Sequence, residues 1–243
     1  MDVIYEPKGA AREYAPLALN IYNGCTHGCR YCYAPGALRI PRQEYFADAN
    51  PKQDVVERVR KDARKLADAG DNREILLSFI GDPYQPAERE LGLTRRAIEI
   101  LIEHGLNFAI LTKGAALARR DFDLLQDYDK ARFGVSMSLH KPRSSVDWEP
   151  NADGAFDRLM ALIVAHDFGI RTWLSVEPVI DPQQALDVIE ATSLIVDHYK
   201  IGKLNHMSAH DADVDWIQFR EAAVEFLQEW GCEYYIKRSL TEL

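Results

Sequence analysis

Short apolar segments alternate with amphipathic segments along most of this chain. The apolar segments are rich in Val, Ile, Leu, Phe and Tyr, as expected of strands buried on both faces of a sheet. They predict strands at 17–22, 74–80, 107–111, 132–139, 171–176, 198–201 and 233–236. Between them, apolar side chains recur with helical spacing and predict helices at 54–69, 93–104, 156–168, 182–191 and 216–230. Gly105, Gly169 and Gly231 directly follow three of these helices, which is typical of a helix end.

The alternation of strands and helices predicts right-handed βαβ units around a parallel sheet. The predicted fold class is α/β, a partial (β/α) barrel of about six parallel β/α units. A doubly wound open sheet has the same periodicity and stays the alternative. No linker rich in Pro, Gly or Ser and no internal repeat divides the sequence. We therefore expect a single domain over 1–243, with an N-terminal extension at 1–16, a β/α core at 17–206, and a last helix and strand within 207–243.

The composition is that of a folded globular protein. Of 243 residues, 47% are hydrophobic and 28% are charged, which excludes a disordered or low-complexity chain. The net charge of −9 disfavours general nucleic-acid binding, because such binding depends on neutralising phosphates. A basic excess within residues 1–66 leaves a local nucleic-acid surface as an alternative. The apolar runs are too short to span a membrane and the first residues do not form a signal peptide, so we expect a cytoplasmic protein with reduced thiols and no membrane partner.

Three of the four cysteines lie within eight residues, in the segment 23–34. Cys25, Cys29 and Cys32 have the spacing C-x3-C-x2-C and come directly after the first predicted strand. Gly24 and Gly28 permit the tight backbone path that would bring three thiolates together. The segment would lie at the carboxyl end of that strand, where parallel α/β folds build their active sites. The pattern therefore predicts a metal or cluster site rather than a disulfide framework.

The number of thiolate ligands distinguishes a structural zinc site from a [4Fe–4S] cluster with an open iron. A structural zinc site has four ligands, so it would need His27 or Cys232 as well. A [4Fe–4S] cluster held by three thiolates leaves one iron open to a small molecule. Cys232 follows the last long helix and is predicted at the opposite edge of the sheet, as a small buried apolar side chain. The spacing favours the three-cysteine cluster, and a zinc- or cluster-binding loop without catalysis is the alternative.

This motif, with Tyr31 just before the third cysteine, resembles the radical S-adenosylmethionine (radical SAM) superfamily. The resemblance implies a [4Fe–4S] cluster on the three cysteines and SAM chelated at the open iron. It implies that an external electron donor such as flavodoxin or ferredoxin reduces the cluster. SAM is then cleaved, and the resulting 5′-deoxyadenosyl radical abstracts hydrogen from a substrate. Tyr31 would lie near the adenine of SAM.

A longer set of motifs is similar to the spore photoproduct lyase-like family, often labelled DNA repair photolyases. The set comprises 25–34, the Gly-Asp-Pro-Tyr-Gln-Pro-Ala-Glu run at 81–88 and Leu-Thr-Lys at 111–113. The resemblance implies two catalytic relay tyrosines, Tyr31 and Tyr33, and a SAM site made by Asp82, Lys113 and Ser136 or Ser138.

One departure bears on the reaction. The lyase-like family has a cysteine hydrogen donor shortly before the aspartate, and Phe79 stands at that position here. Without this thiol, reversal of a thymine lesion has no evident donor. The sequence therefore predicts radical SAM chemistry on an unidentified substrate, and leaves open whether SAM is consumed or regenerated. A lyase-like DNA repair enzyme without the usual donor is the alternative within the family.

Polar groups follow nearly every predicted strand. Because the carboxyl ends of parallel strands meet at one edge, we expect these groups to converge over a pocket for a zwitterionic cofactor and a polar substrate. Asp82 and Lys113 have the motif context described above, and the other groups have none specific enough for a role. The whole set is Asp82, Lys113, His140, Glu177, Lys203, Asn205, Lys237 and Arg238.

Overall fold

The computed structural model describes residues 2–204 and 214–243. Its strands are β1 (Ile4–Tyr5), β2 (Leu17–Leu19), β3 (Tyr22–Asn23), β4 (Asn50–Pro51), β5 (Ile75–Leu77), β6 (Phe108–Thr112), β7 (Ala131–Ser136), β8 (Arg171–Val179), β9 (His198–Lys203) and β10 (Glu233–Ile236). Eight of them form one sheet in the order β1-β2-β5-β6-β7-β8-β9-β10, while β3 and β4 form a separate ribbon. Every neighbouring pair from β2 to β10 is parallel, and β1 runs antiparallel to β2. This is the predicted α/β class, with six parallel pairings.

Helices connect successive strands of the sheet. They are α1 (Ala34–Leu38), α2 (Arg42–Ala47), α3 (Val55–Asp68), α4 (Glu88–Leu91), α5 (Leu93–Glu103), α6 (Ala115–Ala118), α7 (Phe122–Leu125), α8 (Pro142–Trp148), α9 (Ala155–Asp167), α10 (Pro182–Thr192), α11 (Trp216–Glu229) and α12 (Arg238–Thr241). The long helices carry apolar side chains on one face and bury them against the sheet. No helix in the described part of the chain is both long and apolar enough to cross a bilayer.

The two faces of the sheet have different cores. Alternate strand residues, such as Phe133 and Val135 of β7, point to the helices and join the main apolar core. The other face carries a small cluster around Leu76, Ala109 and Trp173. Gly134 is required here, because a Cβ at that position would lie 2.3 Å from Nε1 of Trp173. The Trp173 indole thereby fills the inner face of the partial barrel.

The N-terminal segment packs against this inner face. The Tyr14 ring contacts the Phe79 and Trp173 rings at centroid distances of 5.9 and 6.4 Å. Its hydroxyl bonds to Ser175 and Glu177 of β8, and Lys200 of β9 donates to the Tyr14 carbonyl. The predicted N-terminal extension is therefore an integral part of the sheet and of its inner face.

All seven predicted strands and all five predicted helices are present, with ends shifted by a few residues. The prediction of one continuous strand at 17–22 is wrong: the chain leaves the main sheet after Leu19 and enters the ribbon at Tyr22. Asn20 lies at this break, where its Oδ1 accepts hydrogen bonds from the Phe79 and Ile80 amides, both at 2.7 Å. The short helices were missed because four to seven residues carry no amphipathic repeat. The single-domain boundaries stay a prediction.

Candidate functional site

The cysteine loop follows the ribbon strand β3 and packs on the segment that contains α2. Gly24 has φ of +81°, and a Cβ there would lie 2.1 Å from the Asp48 carbonyl oxygen and 2.9 Å from that of Tyr45. Only glycine fits this close approach. Directly after it, the Cys25 amide donates to the Tyr45 carbonyl at 3.1 Å. The first cysteine is thus fixed to α2 through the backbone.

Cys25 and Cys29 are buried, with 8% and 7% exposure, and Cys32 is partly buried. Burial raises the pKa of each of these thiols. The charges of Asp82, Cys29 and Cys32 add to this rise in the pKa of Cys25, whereas Lys113 opposes it in the pKa values of Cys29 and Cys32. The three sulfurs therefore lie within electrostatic reach of one another. A group that binds them as thiolates has to bring positive charge, as metal ions do.

Arg42, at the start of α2, holds the cysteine loop through its backbone. Its guanidinium donates to the carbonyl oxygens of Cys29, Arg30 and Cys32, each at 2.9 Å. All of these contacts are made to main-chain atoms, so the thiols themselves stay available. Nothing in the sequence pattern identified Arg42, because it lies ten residues beyond the last cysteine in a short helix.

Gln85 fixes the other side of the loop and is completely buried. Its Oε1 accepts from the Thr26 amide at 2.9 Å, while its Nε2 donates to the carbonyls of Gly24 and Asp82 at 3.2 and 3.1 Å. The side-chain amide thus joins the cysteine loop to the loop after β5. Gln85 belongs to the 81–88 motif, and that motif was the only sequence signal for it.

Asp82 lies where the loops after β5 and β6 meet. Its Oδ1 accepts from the Tyr84 amide at 2.9 Å and from the Thr112 hydroxyl at 2.6 Å, and its Oδ2 accepts from the Lys113 amide at 2.7 Å. Nδ1 of His27 is 3.6 Å from the same Oδ2. The carboxylate is thus already engaged by four groups, and it holds the backbone of Lys113 against the cysteine loop.

Lys113 is the cation beside the cysteine loop. Its Nζ donates to the Ser136 hydroxyl at 2.9 Å, lies 5.5 Å from the Tyr31 ring centroid and 4.0 Å from Oε1 of Glu149. Three of the predicted site residues, Tyr31, Lys113 and Ser136, are therefore brought together. Glu149 joins them without any sequence signal.

Glu149 and Arg158 form a buried pair behind Tyr31. Nη2 of Arg158 is 2.6 Å from Oε2 of Glu149, and the Tyr31 hydroxyl donates to Oε1. Burial by itself would raise the pKa of Glu149, but the charges of Arg158 and Lys113 hold the pKa below its ordinary value. The carboxylate is therefore ionised and orients both Tyr31 and Lys113.

Tyr33 and Ser138, the remaining predicted site residues, bond to other parts of the structure than Lys113. The Tyr33 hydroxyl donates to the Phe79 carbonyl at 2.9 Å, toward the inner face, so the two predicted relay tyrosines bond to different elements. The Ser138 hydroxyl donates to the Pro178 carbonyl. Of the two serines, Ser136 is the one in contact with Lys113.

The strand-end groups form two sets rather than one. Glu177 and Lys237 pair at 2.8 Å on the inner face, where a Cβ at Gly202 would lie 2.8 Å from the Glu177 carboxyl carbon. His140 instead pairs with Asp187 at the surface, at 2.9 Å, so the expectation that it joins the pocket is wrong. Three further groups also lie outside these sets. Lys203 is placed over the Trp216 ring, the Arg238 amide bonds to Glu13, and Asn205 falls outside the described residues.

Among the described residues, no closed four-ligand metal site is formed. Burial lowers the pKa of His27, and its Nδ1 faces Asp82. Cys232 lies at the opposite edge of the sheet, with its Sγ 3.7 Å from the Ser193 carbonyl. Within residues 2–204 and 214–243, no group of three or more His, Cys, Asp or Glu is arranged to hold a single metal ion. Thiolates on one zinc, each about 2.3 Å from the metal, crowd together, whereas a four-iron cluster spreads its thiolates over separate irons.

One buried polar atom belongs to Tyr45, whose side chain packs beside Cys25 and Cys32. The Tyr45 hydroxyl has no hydrogen-bond partner among the described residues, although the side chain is only 2% exposed. Buried hydroxyls normally have partners. A [4Fe–4S] cluster brings sulfur acceptors to this place, so the residues present fit such a group.

Known proteins are similar to most of this chain. The model of the family described as the Radical SAM superfamily matches residues 19–194, which is most of the chain. An uncharacterized protein of Methanocaldococcus jannaschii is 28% identical over 170 residues, covering 68% of this chain and 61% of that protein. An uncharacterized protein of Mycobacterium tuberculosis is 29% identical over 187 residues, covering 72% and 52%. The chain thus spans about half to three fifths of the length of these relatives.

Two solved structures share the fold. A spore photoproduct lyase superposes with a TM-score of 0.72 at 13% identity, covering 96% of this chain and 79% of the lyase. SuiB of Streptococcus suis, bound to S-adenosylmethionine, superposes with a TM-score of 0.67 at 12% identity, covering 90% and 50%. At these identities the likeness concerns the fold, and it supports the partial barrel over the doubly wound sheet.

Proposed function

This chain belongs to the radical SAM superfamily, whose members use a [4Fe–4S] cluster and SAM, and we propose that it is a radical SAM enzyme with the cluster on Cys25, Cys29 and Cys32. The observation that carries the proposal is the cysteine loop itself. Arg42 and Gln85 fix its backbone from two sides, Cys25 and Cys29 are buried, and Cys25 and Cys32 pack beside Tyr45, whose hydroxyl has no partner among the described residues.

When bound, the cluster would supply one electron for cleavage of SAM into methionine and a 5′-deoxyadenosyl radical, the species that would take a hydrogen atom from the substrate. This chain's residues bind and orient. Lys113 offers a cation to an anionic group of SAM, and Glu149 and Ser136 fix its position. The Tyr31 ring lies beside the Lys113 ammonium, at the same proposed SAM site. Asp82 contributes by holding the Lys113 backbone and the cysteine loop, in addition to the predicted contact with SAM.

The substrate would meet the inner face of the partial barrel. Tyr14, Tyr33 and Phe79 form an aromatic row there, next to the Glu177–Lys237 pair. A lyase-like reaction would need a hydrogen donor near Phe79. The hydroxyl-bearing rings that contact Phe79 are those of Tyr14 and Tyr33. We therefore propose hydrogen abstraction from an unidentified substrate, with an external electron donor such as flavodoxin or ferredoxin.

The test is anaerobic reconstitution with iron and sulfide, followed by reduction with dithionite. Electron paramagnetic resonance (EPR) spectra of the reduced protein are compared with and without SAM, and the mixture is assayed for 5′-deoxyadenosine. We expect a four-iron signal that SAM shifts, together with 5′-deoxyadenosine. A cluster whose spectrum ignores SAM, or a preparation that binds only zinc, would refute the proposal.

A further inference from the structure

Tyr45 lies in α2 with its side chain turned toward the cysteine loop. Its ring packs against Cys25 and Ala34, and the neighbouring Phe46 ring meets it edge-on at 5.2 Å. Its backbone is engaged on both sides, since its amide donates to the Pro41 carbonyl and its carbonyl accepts from the Cys25 amide. The ring position is therefore fixed by packing and by the backbone.

The Tyr45 hydroxyl is the part of this side chain that packing does not explain. It is buried and has no partner among the described residues, whereas the buried phenols of Tyr22, Tyr31 and Tyr84 each bond to a carboxylate. A hydroxyl taken out of water without a partner is destabilising. Phenylalanine would pack equally well here, so the hydroxyl points to an acceptor that only the loaded site contains.

The Tyr45 side chain packs in the same small cluster as Cys25 and Cys32. On the other side, a Cβ at Gly81 would lie 4.0 Å from the hydroxyl oxygen. The backbone of the loop after β5 therefore comes close to this hydroxyl, and Cys25 and Cys32 are the sulfur-bearing residues packed beside the ring.

We propose that Tyr45 donates a hydrogen bond to a sulfur of the bound cluster, either a sulfide or a cysteine thiolate, and thereby raises the reduction potential of the cluster. The inference rests on the proposed function, since it requires Cys25, Cys29 and Cys32 as the ligands. Arg42 and Gln85 use their hydrogen bonds on carbonyl and amide groups. Tyr45 thus keeps its hydroxyl for another acceptor, and the Thr26 hydroxyl is a second buried one near the cysteines without a partner among the described residues.

The expected effect follows from charge. Reduction adds negative charge to the sulfurs, so a donor stabilises the reduced cluster more than the oxidised one. Tyr45→Phe should lower the ratio of reduced to oxidised cluster at a fixed potential by about threefold to tenfold. For a one-electron couple, a tenfold change corresponds to about 59 mV.

The experiment is a redox titration of reconstituted protein, followed by EPR, for the unaltered chain, Tyr45→Phe and a control. Tyr128→Phe is the matched control, since its hydroxyl bonds to the Leu106 carbonyl near the start of β6. We expect a lower potential in Tyr45→Phe and an unchanged one in Tyr128→Phe. Equal potentials in all three, with full iron content, would overturn the role of Tyr45.

A second variant covers the case in which Tyr45→Phe does not retain the cluster. Site-specific 3-fluorotyrosine at position 45 keeps the hydroxyl and makes it a stronger donor. The potential should then rise, and an unchanged potential would overturn the inference. If the unaltered chain gives no four-iron signal at all, the ligand assignment has failed, and the inference about Tyr45 fails with it. The two failures are therefore distinguishable.

Discussion

Nη2 of Arg158 lies 2.6 Å from Oε2 of Glu149, and both side chains are almost completely buried beside the cysteine loop. The pair fixes two of the groups expected to contact SAM, Tyr31 and Lys113. Its carboxylate accepts from the Tyr31 hydroxyl and lies 4.0 Å from Nζ of Lys113. Arg158 in turn donates to the Ser136 carbonyl at 2.8 Å. The position of the site therefore depends on two residues that need not touch the cofactor.

Breaking the Glu149–Arg158 pair should destabilise the folded protein. Glu149→Gln leaves the buried Arg158 without its counter-charge, and we expect the free energy of unfolding to fall by about 3 kcal/mol or more. Urea denaturation of the apoprotein measures this. Glu103→Gln is the control, because Glu103 pairs with Arg60 at the surface and should contribute about 1 kcal/mol at most. Similar losses in the two variants would show that the buried pair has no special role.

Removal of single cysteines should separate the ligands from the remote thiol. Cys29→Ala should abolish cluster assembly, whereas Cys232→Ala should leave iron and sulfide content unchanged. The reason is distance, since Cys232 lies beside Ser193 at the opposite edge of the sheet. Iron and sulfide analysis after anaerobic reconstitution measures the outcome. Equal loss of the cluster in both variants would contradict the three-ligand site.

The backbone path of the cysteine loop depends on Gly24. Gly24→Ala places a Cβ against the Asp48 carbonyl, at a φ of +81° that alanine rarely adopts. We expect a loss of about 2 kcal/mol or more in stability and poor cluster loading. Gly36→Ala is the matched control, since a Cβ there would meet no atom of the described residues within 4 Å and alanine favours helix α1. Normal cluster loading in Gly24→Ala would contradict the close approach.

SAM affinity should depend on Lys113 without a matching loss of cluster. Lys113→Met removes the cation and should weaken SAM binding by about tenfold or more, equivalent to roughly 1.4 kcal/mol. Asp82→Ala should also weaken it, because the Lys113 backbone loses its carboxylate partner. Equilibrium dialysis of reconstituted protein measures both, with Lys130→Met as control, whose exposed ammonium bonds to the Gly105 carbonyl. Unchanged affinity would remove the altered residue from the proposed site.

The free energy of unfolding should depend on pH through Lys200, which lies on the inner face of the sheet. Burial, and then the charge of Arg132, lower its pKa to about 8. An unfolded lysine keeps its proton up to about pH 10.4. Between these values the unfolded state binds more protons, so the free energy of unfolding should rise with pH, by about 1.4 kcal/mol per unit at most. Denaturation of the unaltered chain and of Lys200→Met at pH 7, 8.5 and 10 tests this. If the difference in free energy of unfolding between the unaltered chain and Lys200→Met does not change with pH, the prediction is wrong.

The sequence alone determined the elements and the chemistry of one loop. Strand and helix positions follow from local periodicity, and the C-x3-C-x2-C spacing is local as well. The positions of Asp82 and Lys113 after neighbouring strands followed from the topology of parallel sheets, so their meeting was predicted correctly. Local patterns were sufficient for these features because each depends on residues close together in the chain or on the order of neighbouring strands.

Only the tertiary structure decided what supports that loop. Glu149 meets Tyr31 across 118 residues, and Tyr14 meets Ser175 across 161. Neither carries a local pattern, and their partners are specified only when folding removes the water around them. A charge or hydroxyl buried in this way has to find a partner nearby, whatever its distance along the chain. Tyr45 is the exception among the tyrosines discussed: its position is fixed by the fold, and the partner that would explain its hydroxyl is the cluster.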